Sequence, residues 1–70
     1  MKYLIVIEKT HTGYSAFSPD LHGCVATGGT QDEVEKTMQE AIQFHLEGLR
    51  EDGADIPESH SYSKYLDIPA

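Results

Sequence analysis

The spacing of apolar residues along the chain changes from an extended to a helical period and back again. Residues 2–8, Lys-Tyr-Leu-Ile-Val-Ile-Glu, are rich in β-branched and aromatic side chains and read as a strand. The unbroken apolar run at 3–7 implies cover on both faces, hence a central strand. Thr10-His11-Thr12-Gly13 reads as a turn in which Gly13 is free to take positive φ. Residues 14–18 alternate as a second strand until Pro19-Asp20 breaks the pattern. The corner Asp20-Leu21-His22-Gly23 leads to a third strand at 24–27, which Gly28-Gly29 ends, as a strand-to-helix turn that needs backbone freedom. Three strands joined by short turns make an antiparallel meander.

A helix follows over 31–52. Thr30 and Glu33 form a T-x-x-E capping box at its start. Val34, Met38, Ala41, Ile42, Leu46 and Leu49 recur at helical spacing and form one apolar stripe. Asp52-Gly53 supplies the stop, with Gly53 in the left-handed region. At about 1.5 Å per residue the helix is roughly 33 Å long, longer than any strand here. After the polar connector 56–61, residues 62–68 carry Tyr62, Tyr65, Leu66 and Ile68 and read as a fourth strand.

The expected architecture is therefore α+β, a single domain over residues 1–70 with element order βββαβ. A fourth strand reached by a helical crossover can lie parallel to strand one and beside it, giving the order 3-2-1-4. The long helix covers one sheet face. The other face keeps apolar residues, and a second subunit is the simplest cover for it.

Length strengthens that expectation. A chain of 70 residues buries only about 60% of its unfolded surface, and folds of this size usually carry a staple. The single cysteine, Cys24, excludes an internal disulfide, and no Cys/His cluster suggests structural zinc. Association into a homodimer or homotetramer remains as the staple. Twelve acidic residues against five basic ones give a formal net charge of −7. That balance disfavours gripping nucleic-acid backbones or anionic membranes, and suits either plain solubility or a basic partner. The N-terminal apolar run is too short for a signal peptide, and no segment approaches the ~20 apolar residues of a membrane span. A cytoplasmic protein is expected, with no cofactor and no metal.

Read together, several segments form one pattern: Ser18-Pro19-Asp20-Leu21-His22-Gly23-Cys24, Gly28-Gly29-Thr30, Glu33-Val34, Ala41-Ile42, and Asp52-Gly53 followed by Ile56-Pro57-Glu58. This ordered set resembles the N-terminal domain of the HicB antitoxin family over nearly the whole chain. The resemblance implies a partial RNase H-like fold. It also implies a partner, a small basic mRNA-cleaving toxin of the HicA type. Many members continue into a C-terminal DNA-binding segment. This sequence stops at Ala70 without one, so no direct DNA binding is expected.

The resemblance raises the question of metal-dependent nuclease chemistry, which needs several carboxylates converging on ions about 4 Å apart. The available acids are Glu8, Asp20 and Asp67; exposed strand-end charges are the plainer reading of them, and a nuclease the less favoured one. His22 and Cys24 alternate onto one strand face, where a nucleophile and base would have to meet; a small core cysteine is the plainer reading. The corner Pro19, Asp20, Leu21, Gly23 and Cys24 is the family-motif element, with Asp20 suited to an Asx-turn on its own backbone. For a partner-binding surface the candidates are Glu35, Glu40, Glu47 and Glu51 along the helix, which as a group would steer a basic protein. The expected function is an antitoxin-like binding protein without enzymatic activity, masking the toxin's RNA-facing surface. The alternative is an orphan homo-oligomeric interaction protein with no cognate toxin.

Overall fold

The computed structural model describes residues 1–69. Strands β1 (Val6–Lys9), β2 (Tyr14–Phe17) and β3 (Val25–Gly28) precede one helix, α1 (Gln31–Glu51). The sheet order is β1-β2-β3, antiparallel throughout, with Val6 opposite Phe17 and Phe17 opposite Val25. The expected meander and its 3-2-1 order are present.

Alternation along the strands sorts the side chains by face. The Ile7–Ala16–Ala26 row points toward the helix, and both alanines are buried. These small residues let α1 lie close over β2 and β3, the two strands it packs against. Leu21, Val34 and Met38 are the most completely enclosed side chains, with Cys24 and Leu46 beside them in the same core. On the outer face, Phe17 and Val25 stay exposed.

The start of the helix is fixed by two reciprocal bonds. Thr30 Oγ1 accepts from the Glu33 amide at 3.1 Å, and Glu33 Oε2 accepts from the Gly29 amide at 3.0 Å. The carboxylate thus reaches one residue further back than an ideal capping box requires. Asp32 and Glu33 in the first turn and Arg50 in the last complement the helix dipole. At the other end the Gly53 amide bonds to Arg50 and the Ala54 amide to Leu49, while Gly53 takes φ 69°. This is a Schellman motif, and it satisfies carbonyls the helix would otherwise leave open.

Two expectations about glycine are corrected. Gly13 and Gly28 do not have positive φ. Both are required by close approach instead. A Cβ on Gly28 would stand 2.8 Å from the Val34 amide nitrogen, and one on Gly13 would stand 2.4 Å from the Gly28 carbonyl oxygen. The hairpin end, the end of β3 and the first turn of α1 meet backbone to backbone.

Two larger differences concern the sheet edge. The first strand begins at Val6, not residue 2, and it is an edge strand, because among the described residues nothing pairs with its outer side. Residues 62–68, expected as a fourth strand beside it, form no strand. They leave the body of the protein with Tyr62 87%, Tyr65 101%, Leu66 70% and Ile68 76% exposed.

Candidate functional site

Because α1 rests on β2 and β3, its flank stands clear of the N-terminal segment. The result is an open groove of about 960 Å³ between residues 1–5 and the helix. Tyr3, Ile5, Ile42 and Leu46 line it with apolar surface, and charged helix residues such as Glu35 and Arg50 line its sides. None of these apolar groove residues was singled out as functional from the sequence. The one available signal was the apolar run 3–7, whose pattern called for cover that the chain itself does not provide.

The four acidic helix residues do not form one surface. All are exposed. Glu40, Glu47 and Glu51 recur at helical spacing as a stripe away from the core. Glu35 stands apart from that stripe and, with Glu47, lines the groove.

The corner residues divide by role. Leu21 and Cys24 are core residues, Gly23 turns the chain at φ 83°, and Pro19 is exposed. Asp20 is not committed to an Asx-turn. Its carboxylate holds the C-terminal segment some forty residues away: Oδ2 accepts from the amides of His60 and Ser61, each at 3.1 Å, and Oδ1 accepts from the Ser61 hydroxyl at 2.7 Å. His60 Nδ1 lies 3.2 Å from the same carboxylate. The side chain sits in a shallow corner but is closed off from solvent by the segment it binds. The Ser61 hydroxyl above all, then the Ser61 and His60 amides, hold the Asp20 carboxyl below its ordinary value of 3.8, against the opposing effect of burial. A second anchor lies nearby, where the Tyr3 hydroxyl donates to the Pro57 carbonyl at 2.6 Å. The Ser18 hydroxyl donates to the Leu4 carbonyl and ties the corner to the N-terminal segment.

The residues weighed for chemistry are dispersed. Cys24 is buried and burial pushes its thiol pKa up, the opposite of what activates a nucleophile. His22 is exposed. Glu8 is exposed on β1, Asp67 is exposed in the C-terminal segment, and Asp20 is occupied by that segment. Among the described residues, no three His, Cys, Asp or Glu side chains converge into a metal-holding group. Nor, among them, is any helix long and apolar enough to cross a membrane.

The distinctive features of this molecule are surfaces: a groove of mixed apolar and charged lining, an acidic helix stripe and an anchored C-terminal extension with exposed apolar side chains. Together they define a small α+β module of the kind that works by association. The chain belongs to the HicB-like antitoxin family of bacterial toxin–antitoxin systems, whose family model matches residues 3–70. It is 41% identical over 69 residues to an uncharacterized 14.9 kDa protein of Haemophilus phage HP1, covering 99% of this chain and 52% of the relative. The chain thus spans about half the length of that relative. It is 34% identical over 67 residues to a UPF0150 protein of Synechocystis, covering 94% of this chain and 85% of the relative. Among solved structures it is similar to a chain of a HicA3 and HicB3 toxin–antitoxin complex, with TM-score 0.71 and 33% identity, over 84% of this chain and 70% of that one.

Proposed function

We propose that this protein is the antitoxin of a two-protein pair, neutralising a small basic mRNA-cleaving toxin of the HicA type by masking its RNA-facing surface. The reading rests on the likeness to a chain from a HicA3 and HicB3 complex, at 33% identity over 84% of this chain. The charge supports it. A formal net charge of −7, with Glu40, Glu47 and Glu51 exposed along one helix stripe, is complementary to a basic, RNA-binding protein. Inhibition by occlusion requires affinity and shape, and no reacting group on the antitoxin, so the protein acts without catalysis.

Co-expression with the adjacent reading frame, and purification through a tag on this chain, tests the proposal. A small basic protein is expected to co-purify and to cleave RNA only after separation. Glu→Gln changes at positions 40, 47 and 51 are expected to slow association most at low salt. A clean homo-oligomer with no companion would overturn the toxin assignment and favour an interaction role through self-association.

A further inference from the structure

The groove beside β1 and the C-terminal extension are each incomplete, and each has what the other lacks. The groove offers apolar residues Tyr3, Ile5, Ile42 and Leu46 next to an unpaired strand edge. An edge of this kind is a template for one more strand. The extension is an extended segment without a partner. In a strand, alternate residues share a face, which places Tyr62, Lys64, Leu66 and Ile68 together. The charge on that face suits the groove, since Lys64 is opposite in sign to Glu35 and Glu47 of its lining.

The chain does not close the groove itself, for a reason visible in its anchors. The Pro57 carbonyl is held by Tyr3, and the His60 and Ser61 amides are held by Asp20. Asp20 belongs to the corner between β2 and β3, whereas the free edge of β1 lies on the side away from β2. The clamp therefore draws the chain across the end of the sheet, and residues 62–69 leave in a direction that keeps them off that edge.

The exposed area matches the same picture. A compact monomer of 7.8 kDa has roughly 4,400 Å² of accessible surface, and this chain has 5800 Å². Its radius of gyration is 14.0 Å, against about 11 Å for a compact domain of this length. The excess area, on the order of 1,400 Å², exceeds the ~800 Å² that each partner contributes to a standard interface.

We infer that the occupant of the groove is residues 62–68 of a second copy of this chain, exchanged reciprocally, so that each protomer receives from the other the fourth strand beside β1. Exchange about a two-fold axis pairs both edges at once and leaves neither open. It also completes the order 3-2-1-4 in trans. The apolar run at 3–7 then has cover on its open side. The inference concerns the isolated protein and does not depend on any toxin.

The test uses the pure chain of residues 1–70. Sedimentation equilibrium is expected to give a dimer. In a sample mixing isotope-labelled and unlabelled chains, isotope-filtered NMR is expected to show contacts from the Tyr62 and Leu66 side chains of one copy to Tyr3, Ile5 and Ile42 of the other. The 70-residue variant Tyr62→Ser/Leu66→Ser/Ile68→Ser is expected to keep its helical circular dichroism, because these side chains lie outside the core of their own protomer. Its dimer dissociation constant is expected to rise by roughly 100-fold or more, since burying each such side chain is worth about a factor of ten. A monomeric wild-type protein, contacts found only within one chain, or a dimer that survives the triple substitution unchanged would each overturn the inference. So would a segment that becomes ordered only on adding a basic protein.

Discussion

Replacing Gly28 with alanine tests the close approach of helix and sheet. The new Cβ would lie 2.8 Å from the Val34 nitrogen, 3.1 Å from its Cα and 3.2 Å from the Glu33 Cβ. Two of these three atoms are backbone, so relief requires the first turn of α1 to retreat from β3 by a few tenths of an ångström. Val34 and Met38, both fully buried, sit on the surface that would open. Forcing one extra carbon into such a site costs about 1–3 kcal/mol, offset by about 0.4–1 kcal/mol from a less flexible unfolded chain. A net loss near 1–2 kcal/mol is large for a domain of this size, whose whole stability is of order 4–10 kcal/mol. Gly48→Ala is the matched control. It lies within α1, and nothing stands within 4 Å of its Cβ. There alanine gains about 0.5–1 kcal/mol of helix propensity. At roughly 4–8 °C per kcal/mol, Gly28→Ala is expected to lower Tm by about 4–16 °C and Gly48→Ala to raise it by about 2–8 °C. Thermal melts by far-UV circular dichroism, at one fixed protein concentration, read both. Equal shifts in the two variants, or a raised Tm for Gly28→Ala, would refute the close-approach argument.

Other expectations follow from the corner. The folded-state pKa of Asp20 lies below its ordinary 3.8, so its anchor on the C-terminal segment is complete above that pH and is lost as pH falls through the lowered value. The Ser61 amide resonance is expected to titrate with a midpoint below 3.8, and a midpoint above it would contradict the hydrogen-bond assignment. Asp20→Asn is expected to abolish that titration and to raise backbone mobility from residue 60 onward, read by nitrogen relaxation. Cys24, buried with its thiol pKa raised, is expected to react with iodoacetamide about tenfold or more slowly in the native protein than in denaturant; equal rates would place the thiol at the surface.

Much of this molecule follows from local rules. The capping residues Thr30 and Glu33, the apolar stripe from Val34 to Leu49 and the stop at Gly53 act within a few positions of one another. They define α1 to within one residue of the expected 31–52. The meander is equally local, since each turn joins neighbours in sequence. Membership of the HicB-like family was also legible, because the motifs that carry it are ordered segments of the chain.

What only the tertiary structure decided depends on groups far apart in sequence. Gly13 and Gly28 looked like residues chosen for conformational freedom, yet distant backbone makes them necessary: the first turn of α1 against Gly28, and the Gly28-Gly29 backbone against Gly13. Asp20 looked suited to its own turn, but its carboxylate is spent on amides some forty positions away, and no local pattern announces such a partner. Helical spacing already sets Glu35 apart from Glu40, Glu47 and Glu51, but only the packing of α1 on β2 and β3 placed Glu35 and Glu47 beside the groove. Residues 62–68 read as a fourth strand from their apolar side chains, but they form no strand and those side chains stay exposed on this chain. The chain leading into them is held by the anchors at Tyr3 and Asp20, partners that no local pattern in 62–68 specifies. Apolar pattern measures the demand for cover, and only three-dimensional placement decides which surface meets it.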